Sequence, residues 1–342
     1  MSPGAEAASV AAAAAITCAV STWVVRRLAL AAGVVDSPDG RLKRQESPVP
    51  LLGGVAVYLA FAAALVGLVR AAPMRDASPI WGLLAGATIL LAVGIVDDVR
   101  RLGWQVKLVV ELVVAMLLAH AGVRLQIEFL PTWLNYLGSA MWLVGVANAV
   151  NLIDVMDGLA SGTCAVIAAT FVFIGLATHN AQLALASAAL AGALLGFLGW
   201  NWRPARIYLG DAGSLFVGFA LSALAMWASY TVRHRAALGV PLLVLGVPLF
   251  EMAFLVVMRL RARKSPFRGS PDHFALRLKN AGRSVPAIVL GTMGESALLG
   301  SMGILAMFVE VEMTLGLYAM AAVFGYFNWR WLAALPPPEG AP

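Results

Sequence analysis

Long apolar runs, each broken by a few polar or charged positions, recur along almost the whole chain. A hydrocarbon core about 30 Å thick needs about 20 such residues per helix. Eleven stretches approach that length: 8–30, 51–69, 80–96, 105–122, 134–152, 159–177, 182–200, 212–230, 238–258, 285–309 and 314–334. Polar groups interrupt 134–152 most. The pattern predicts an all-α polytopic membrane protein with ten or eleven transmembrane helices, a single domain over 1–342 whose last residues, 335–342, form a tail. No soluble domain, low-complexity linker or tandem repeat is visible.

Composition agrees. Of 342 residues, 61% are hydrophobic and 12% charged, where soluble domains carry about 25% charged residues. Basic residues orient the helices. With the N-terminus outside, 19 of the 24 Lys and Arg fall at inner loops and helix ends, among them Arg26, Arg27, Arg41, Lys43, Arg44, Arg100, Arg101, Lys107, Arg203, Arg206 and eight between Arg259 and Arg283. Arg70, Arg75, Arg124, Arg233 and Arg235 stay outside. The inverted arrangement breaks the positive-inside rule. The net charge of +6 therefore reads as topology and attraction to the inner leaflet, not as nucleic-acid binding. No Lys or Arg precedes the first helix and Arg26-Arg27 follow it, so it is expected to stay uncleaved. Cys18 and Cys164 fall inside predicted helices with no metal-ligand spacing and read as small buried hydrophobes.

The chemistry sits on one side. Loops 36–50, 97–104, 151–158, 201–211 and 259–284, expected inside, hold nearly every polar motif, whereas 70–79, 123–133, 178–181, 231–237 and 310–313 are short and ordinary. In the run Asn148-Ala-Val-Asn-Leu-Ile-Asp-Val-Met-Asp-Gly158, two amides and two carboxylates recur every third residue. One Asp at a membrane helix centre costs about 3 kcal/mol on insertion scales, so such a cluster is kept for a purpose. On an ideal helix Asn148 and Asp157 would face roughly opposite ways; convergence of Asn148, Asn151, Asp154 and Asp157 requires tightening toward 3₁₀ geometry or unwinding before Gly158. Alternatively, Asp157 caps the next helix.

Asp97-Asp98 ends the third apolar stretch. Adjacent carboxylates repel unless a cation or proton intervenes. Mg²⁺, held by one or two carboxylates plus substrate phosphates, is the natural cation; a solvated helix end is the alternative. In Asn201-Trp-Arg-Pro-Ala-Arg-Ile-Tyr-Leu-Gly-Asp-Ala-Gly-Ser214, small residues bracket Asp211 at a helix start. There free N–H groups suit an anion and Asp211 suits a metal bridging it, unless Asp211 is merely a cap. Tyr208 is placed to stack on a flat ring or to serve as an interfacial belt residue. The basic loop Arg259–Arg283 suits a diphosphate or anionic lipid, and His273 is its only histidine. Glu111, Glu251 and Glu295 lie within or near membrane helices and are functional candidates by position; no specific role attaches to them.

In order and spacing these motifs resemble the polyprenyl-phosphate N-acetylhexosamine-1-phosphate transferases. The similarity runs from about Pro38 to Gly282 and includes Pro48-Val-Pro-Leu-Leu-Gly-Gly54 at the start of the second helix. The chain departs from the family at Gln45, where His is common, at Val155, where Gly is usual, and at Glu251, where Asp often stands. His273-Phe-Ala-Leu276 replaces a denser histidine cluster.

The resemblance implies transfer of a sugar-1-phosphate, with N-acetylglucosamine the expected sugar, from a UDP-sugar to polyprenyl (undecaprenyl) phosphate, releasing UMP and starting a lipid-linked envelope polysaccharide. It places the enzyme in the cell membrane with its active site at the cytoplasmic face. Mg²⁺ is the expected cofactor, with Mn²⁺ the alternative, and homodimers occur in the family. By similarity Asp211 holds the metal, aided by Asp98, and Asp97 orients or deprotonates the acceptor phosphate. Asn148, Asn151, Asp154, Asp157 and Asn201 shape the donor pocket with Tyr208 against the uracil, and Lys107 and His273 contact phosphate or sugar. The runner-up donor is UDP-N-acetylmuramoyl-pentapeptide. A proton- or cation-coupled transporter is the rival of another class, although alternating-access carriers place their sites near the midplane.

Overall fold

A computed structural model describes residues 1–36, 48–71, 76–266 and 270–336. Arg41, Lys43, Arg44, Gln45, Arg75, Arg268 and the end of the tail lie outside the described residues. The chain is helical almost throughout: α1 (Pro3–Ala31), α2 (Gly53–Ala71), α3 (Ser78–Arg100), α4 (Trp104–His120), α5 (Thr132–Ile153), α6 (Leu159–Ala177), α7 (Ala181–Asn201), α8 (Gly210–Trp227), α9 (Val240–Val244), α10 (Gly246–Arg261), α11 (Phe274–Asn280), α12 (Val285–Ala306) and α13 (Val311–Ala334). Two short antiparallel strands, β1 (Val35–Asp36) and β2 (Val49–Pro50), join α1 to α2.

Among the described residues, eight helices are long and apolar enough to cross a membrane, or nine if the bent pair ending at Arg261 counts as one span. This makes the chain a multi-pass membrane protein; among the described residues two or three of the eleven predicted stretches fall short of that length or apolar character. The stretch 105–122 forms α4, whose 17 residues reach only about 26 Å at 1.5 Å per residue. In α13 the apolar character is diluted by Glu312, Asn328 and Arg330. The stretch 238–258 is broken. Its two halves meet at 72°, because Pro248 has no N–H to give the carbonyl one turn back and the chain bends there.

The interior is built on α6, α7 and α8, each buried on most faces. They are rich in Ala and Gly, which lets helices approach closely where no hydrophobic force drives them together. The polar segments sort to opposite ends. At one end Gln182 bonds to the Asp76 carbonyl (3.3 Å), Arg233 pairs with Glu310, and Arg235 with Glu128 (3.5 Å). These join the loops expected to share the outer side. At the other end a single cavity is lined from β1, the end of α3, the α5–α6 and α7–α8 links, and α11.

Candidate active site

The cavity, about 770 Å³, gathers the polar motifs. Its floor begins where α3 ends. Lys107, one turn into α4, donates to Asp97 Oδ2 at 2.6 Å and to Asp211 Oδ2 at 3.2 Å. Asp97 is buried and also accepts the Leu102 backbone N–H. Asn151 donates from one amide nitrogen to Asp211 Oδ1 (2.9 Å) and to the Ser214 hydroxyl (2.8 Å). Asp98 turns the other way. Its two oxygens accept the backbone N–H groups of Asp211 (2.9 Å) and Ala212 (3.1 Å). The first amides of α8, expected to be open to a substrate anion, are thus met by a carboxylate from α3. The reason is general: a helix start leaves orphan donors and carries partial positive charge.

The run from Asn148 to Gly158 unwinds. Helix α5 ends at Ile153, and the chain leaves helical geometry through Asp154 (φ −82°, ψ 56°) before Gly158 turns it at φ 77° into α6. Asp154 is thereby brought to the cavity, Asn151 in the last turn of α5 reaches Asp211, and Asn148 stays one turn deeper and donates to Glu111 Oε2 (2.6 Å). Asp157 does not cap α6. It accepts the Ala205 backbone N–H (3.1 Å) and pairs with Arg203 (3.3 Å), fastening one cavity loop to the next. Asp154 sits against Asp211 and Asp98. Burial first, and those two carboxylates second, push it up to about 8, with the Gly210 N–H opposing.

Asn201 binds two loops together. Its Oδ1 accepts from the Gly158 N–H (3.0 Å) and the Ser161 hydroxyl (2.8 Å), and its Nδ2 donates to the Ile207 carbonyl (3.0 Å). The stretch around Pro48–Gly54 braces the same region from the far side. The Tyr208 N–H donates to the Pro50 carbonyl, and Gly53 and Gly54 donate to the carbonyls of Tyr208 and Leu209, each at 2.9 Å. A Cβ on Gly54 would lie 2.1 Å from the Gly213 Cα, so only glycine lets α2 and α8 meet. Tyr208 lines the cavity with its ring partly buried. Burial, then the Asp157 charge, pushes its phenol up to about 12, so it stays protonated at neutral pH.

The structure therefore brings together Asp97, Asp98, Lys107, Asn151, Asp154, Asp157, Asn201, Tyr208 and Asp211. Asn148 stands behind this set. His273 is also apart: its Nδ1 faces Glu251 Oε1 at 2.7 Å, and both residues are buried. Sequence reasoning placed Arg101 and Arg203 only as inside-positive anchors and Lys279 only within a basic loop suited to a diphosphate or anionic lipid, yet all three line the cavity with Asp36. The signal for Arg101 and Arg203 was nearness in sequence to the acidic motifs.

Among the described residues, no three His, Cys, Asp or Glu side chains form a metal cage. The donors nonetheless suit Mg²⁺. They are carboxylate oxygens few in number, as Mg²⁺ accepts when phosphates complete its shell. A cation also already bridges Asp97 and Asp211, in the form of the Lys107 ammonium.

Residues 80–229, which carry most of this site, match the glycosyl transferase family 4 profile. The chain is 30% identical over 277 residues to a probable undecaprenyl-phosphate N-acetylglucosaminyl 1-phosphate transferase of Bacillus subtilis, covering 79% of this chain and 76% of that protein. It is likewise 30% identical over 238 residues to an undecaprenyl-phosphate alpha-N-acetylglucosaminyl 1-phosphate transferase of Thermotoga maritima, covering 70% and 69%. A phospho-N-acetylmuramoyl-pentapeptide-transferase of Halalkalibacterium halodurans matches at 33% over 243 residues, covering 65% and 71%. With its acidic motifs folded into one cavity and these likenesses along most of its length, the chain belongs to glycosyl transferase family 4, the polyprenyl-phosphate N-acetylhexosamine-1-phosphate transferases.

Proposed function

We propose that the protein transfers N-acetylglucosamine-1-phosphate from UDP-N-acetylglucosamine to polyprenyl phosphate in the cell membrane and releases UMP. The observation that carries this reading is the meeting of Asp97, Asp154 and Asp211, from three separate segments, in one cavity beside Lys107. The names of the relatives, two of them N-acetylglucosaminyl 1-phosphate transferases, support the sugar. The cavity is assigned to the cytoplasmic face because Arg101, Arg203 and Lys279, from the basic-rich loops, line it.

Both reactants are anionic, so neutralisation and alignment dominate the barrier in phosphoryl transfer. The acceptor phosphate attacks the phosphorus attached to the sugar, UMP leaves, and the anomeric bond is untouched. Lys107, Arg101, Arg203 and Lys279 offer positive charge to the phosphates. Asp97, held by Lys107, is assigned to orient the acceptor phosphate and take its proton if it carries one. Asp211, oriented by Asn151, is the assigned Mg²⁺ donor with Asp154 beside it; Mg²⁺ would neutralise charge developing on the donor diphosphate. Asp98 serves by fixing the start of α8, and Tyr208 offers its ring to the uracil.

The test is UMP release by purified protein from a panel of UDP-sugars, with and without undecaprenyl phosphate. Release from UDP-N-acetylglucosamine that depends on the lipid is expected. Preference for the pentapeptide donor would overturn the sugar assignment. Uptake into sealed vesicles without UMP release would overturn the enzyme.

A further inference from the structure

Glu111 is buried on α4, one turn beyond Lys107. Its Oε2 accepts from Asn148 Nδ2 at 2.6 Å, and Asn148 gives another hydrogen to the Val144 carbonyl at 2.9 Å. Among the described residues its Oε1 is buried with no hydrogen-bond partner. A buried carboxyl oxygen without a donor is unfavourable, and such groups call for an explanation. The nearest cationic group on this helix is Lys107. Helical side chains lean toward the N-terminus, so a residue covers the turn before its own Cα. Glu111 thus leans back over the turn bearing Lys107. The ammonium has three hydrogens on a flexible four-carbon stem, and two of them are directed at Asp97 and Asp211.

An ammonium and a divalent cation cannot share the Asp211 carboxylate without strong repulsion. We propose that Glu111 is a second seat for the Lys107 ammonium. The ammonium bridges Asp97 and Asp211, and when a divalent cation takes Asp211 it exchanges that contact for Glu111 Oε1 while keeping Asp97. Asn148 holds Glu111 in place by engaging its other oxygen. Glu111 is therefore a positioning residue, linking metal binding at Asp211 to where the Lys107 ammonium rests. The inference rests on the metal assignment made above.

Mn²⁺ binding to the purified full-length protein, counted by electron paramagnetic resonance of the free ion, separates the two ideas. Glu111→Gln should raise the Mn²⁺ dissociation constant by about 5- to 30-fold, inside the roughly 2- to 150-fold span of coupling between contacting groups. In a Lys107→Met background, where no ammonium needs a seat, the same change should alter it by less than about twofold. Equal weakening in both backgrounds, or no weakening in either, would overturn the second seat. The Lys107→Met background also guards against misfolding, because a merely damaged structure would weaken binding there too. Asp211→Asn supplies the remaining arm. If it leaves Mn²⁺ binding unchanged, the metal assignment falls and the second seat with it; if it abolishes binding while Glu111→Gln is silent, only the second seat falls.

Discussion

Replacing Asn201 by alanine should damage the fold of the site before it damages any contact with substrate. Asn201 borders the cavity yet is only 3% exposed, and its three side-chain hydrogen bonds all go to neighbouring loops and α6. Alanine would strand the Gly158 N–H, the Ser161 hydroxyl and the Ile207 carbonyl. A buried hydrogen bond contributes about 1 kcal/mol net, and a group left unsatisfied costs about 1–3 kcal/mol. Three bonds lost at once therefore come to about 3 kcal/mol at least, a factor of about 150 in the folded-to-unfolded ratio. Ser161→Ala removes one of the three and should cost about 1 kcal/mol. Unfolding in mixed micelles, followed by tryptophan fluorescence, would rank wild type, Ser161→Ala and Asn201→Ala in that order. Donor turnover, measured on the folded fraction, should fall with the loosening of the 154–158 and 202–209 loops. An Asn201→Ala protein that unfolds like wild type but binds donor poorly would refute this reasoning and make Asn201 a direct donor contact.

Asp211→Asn and Asp97→Asn should each remove most turnover while leaving the melting temperature within a few degrees of wild type; near-normal turnover in either would remove that residue from the mechanism. Asp98→Asn should lower stability by about 1–3 kcal/mol, since one oxygen facing the Asp211 or Ala212 N–H becomes an NH₂ group that repels it; unchanged melting would argue against the capping role. Tyr208→Ala should raise the donor KM about 10-fold on the scale of ring–base stacking, and Tyr208→Phe should not; equal effects would argue against stacking. Gly54→Ala should prevent stable insertion or folding, because the added carbon meets the Gly213 backbone at 2.1 Å, and recovery of wild-type yield would contradict that packing. Removing divalent metal with a chelator should stop UMP release and added Mg²⁺ restore it.

Much was legible along the chain. The membrane class follows from how many apolar residues a bilayer needs, and the sorting of loops into two sets follows from the spacing of spans between them. The structure joins each set at its own end, through Gln182–Asp76 and Arg233–Glu310 at one and the cavity at the other. Helix count was less readable. Hydropathy counts residues, but it does not register that α4 stops at 17 of them or that Pro248 removes the bond that would carry α9 straight into α10.

Within the site, residue type announced the chemistry and three-dimensional placement divided the labour. Asp97 and Asp98 are neighbours in sequence, yet one faces Lys107 and the other caps a helix that begins 112 residues later at Gly210. Asn148 and Asn151 share a motif, yet the first is bound to Glu111 and the second to Asp211. Asp157, read as a pocket residue or else a local cap, holds a loop 48 positions away. Local rules reach only about one helical turn, because capping, propensity and periodicity are interactions between near neighbours. What the sequence alone determined was the solvent each segment prefers and the inventory of groups set at one side of the membrane. The partner that each group finds was decided by helix packing, which brings distant segments within hydrogen-bonding reach and leaves every buried donor and acceptor to be matched across that distance.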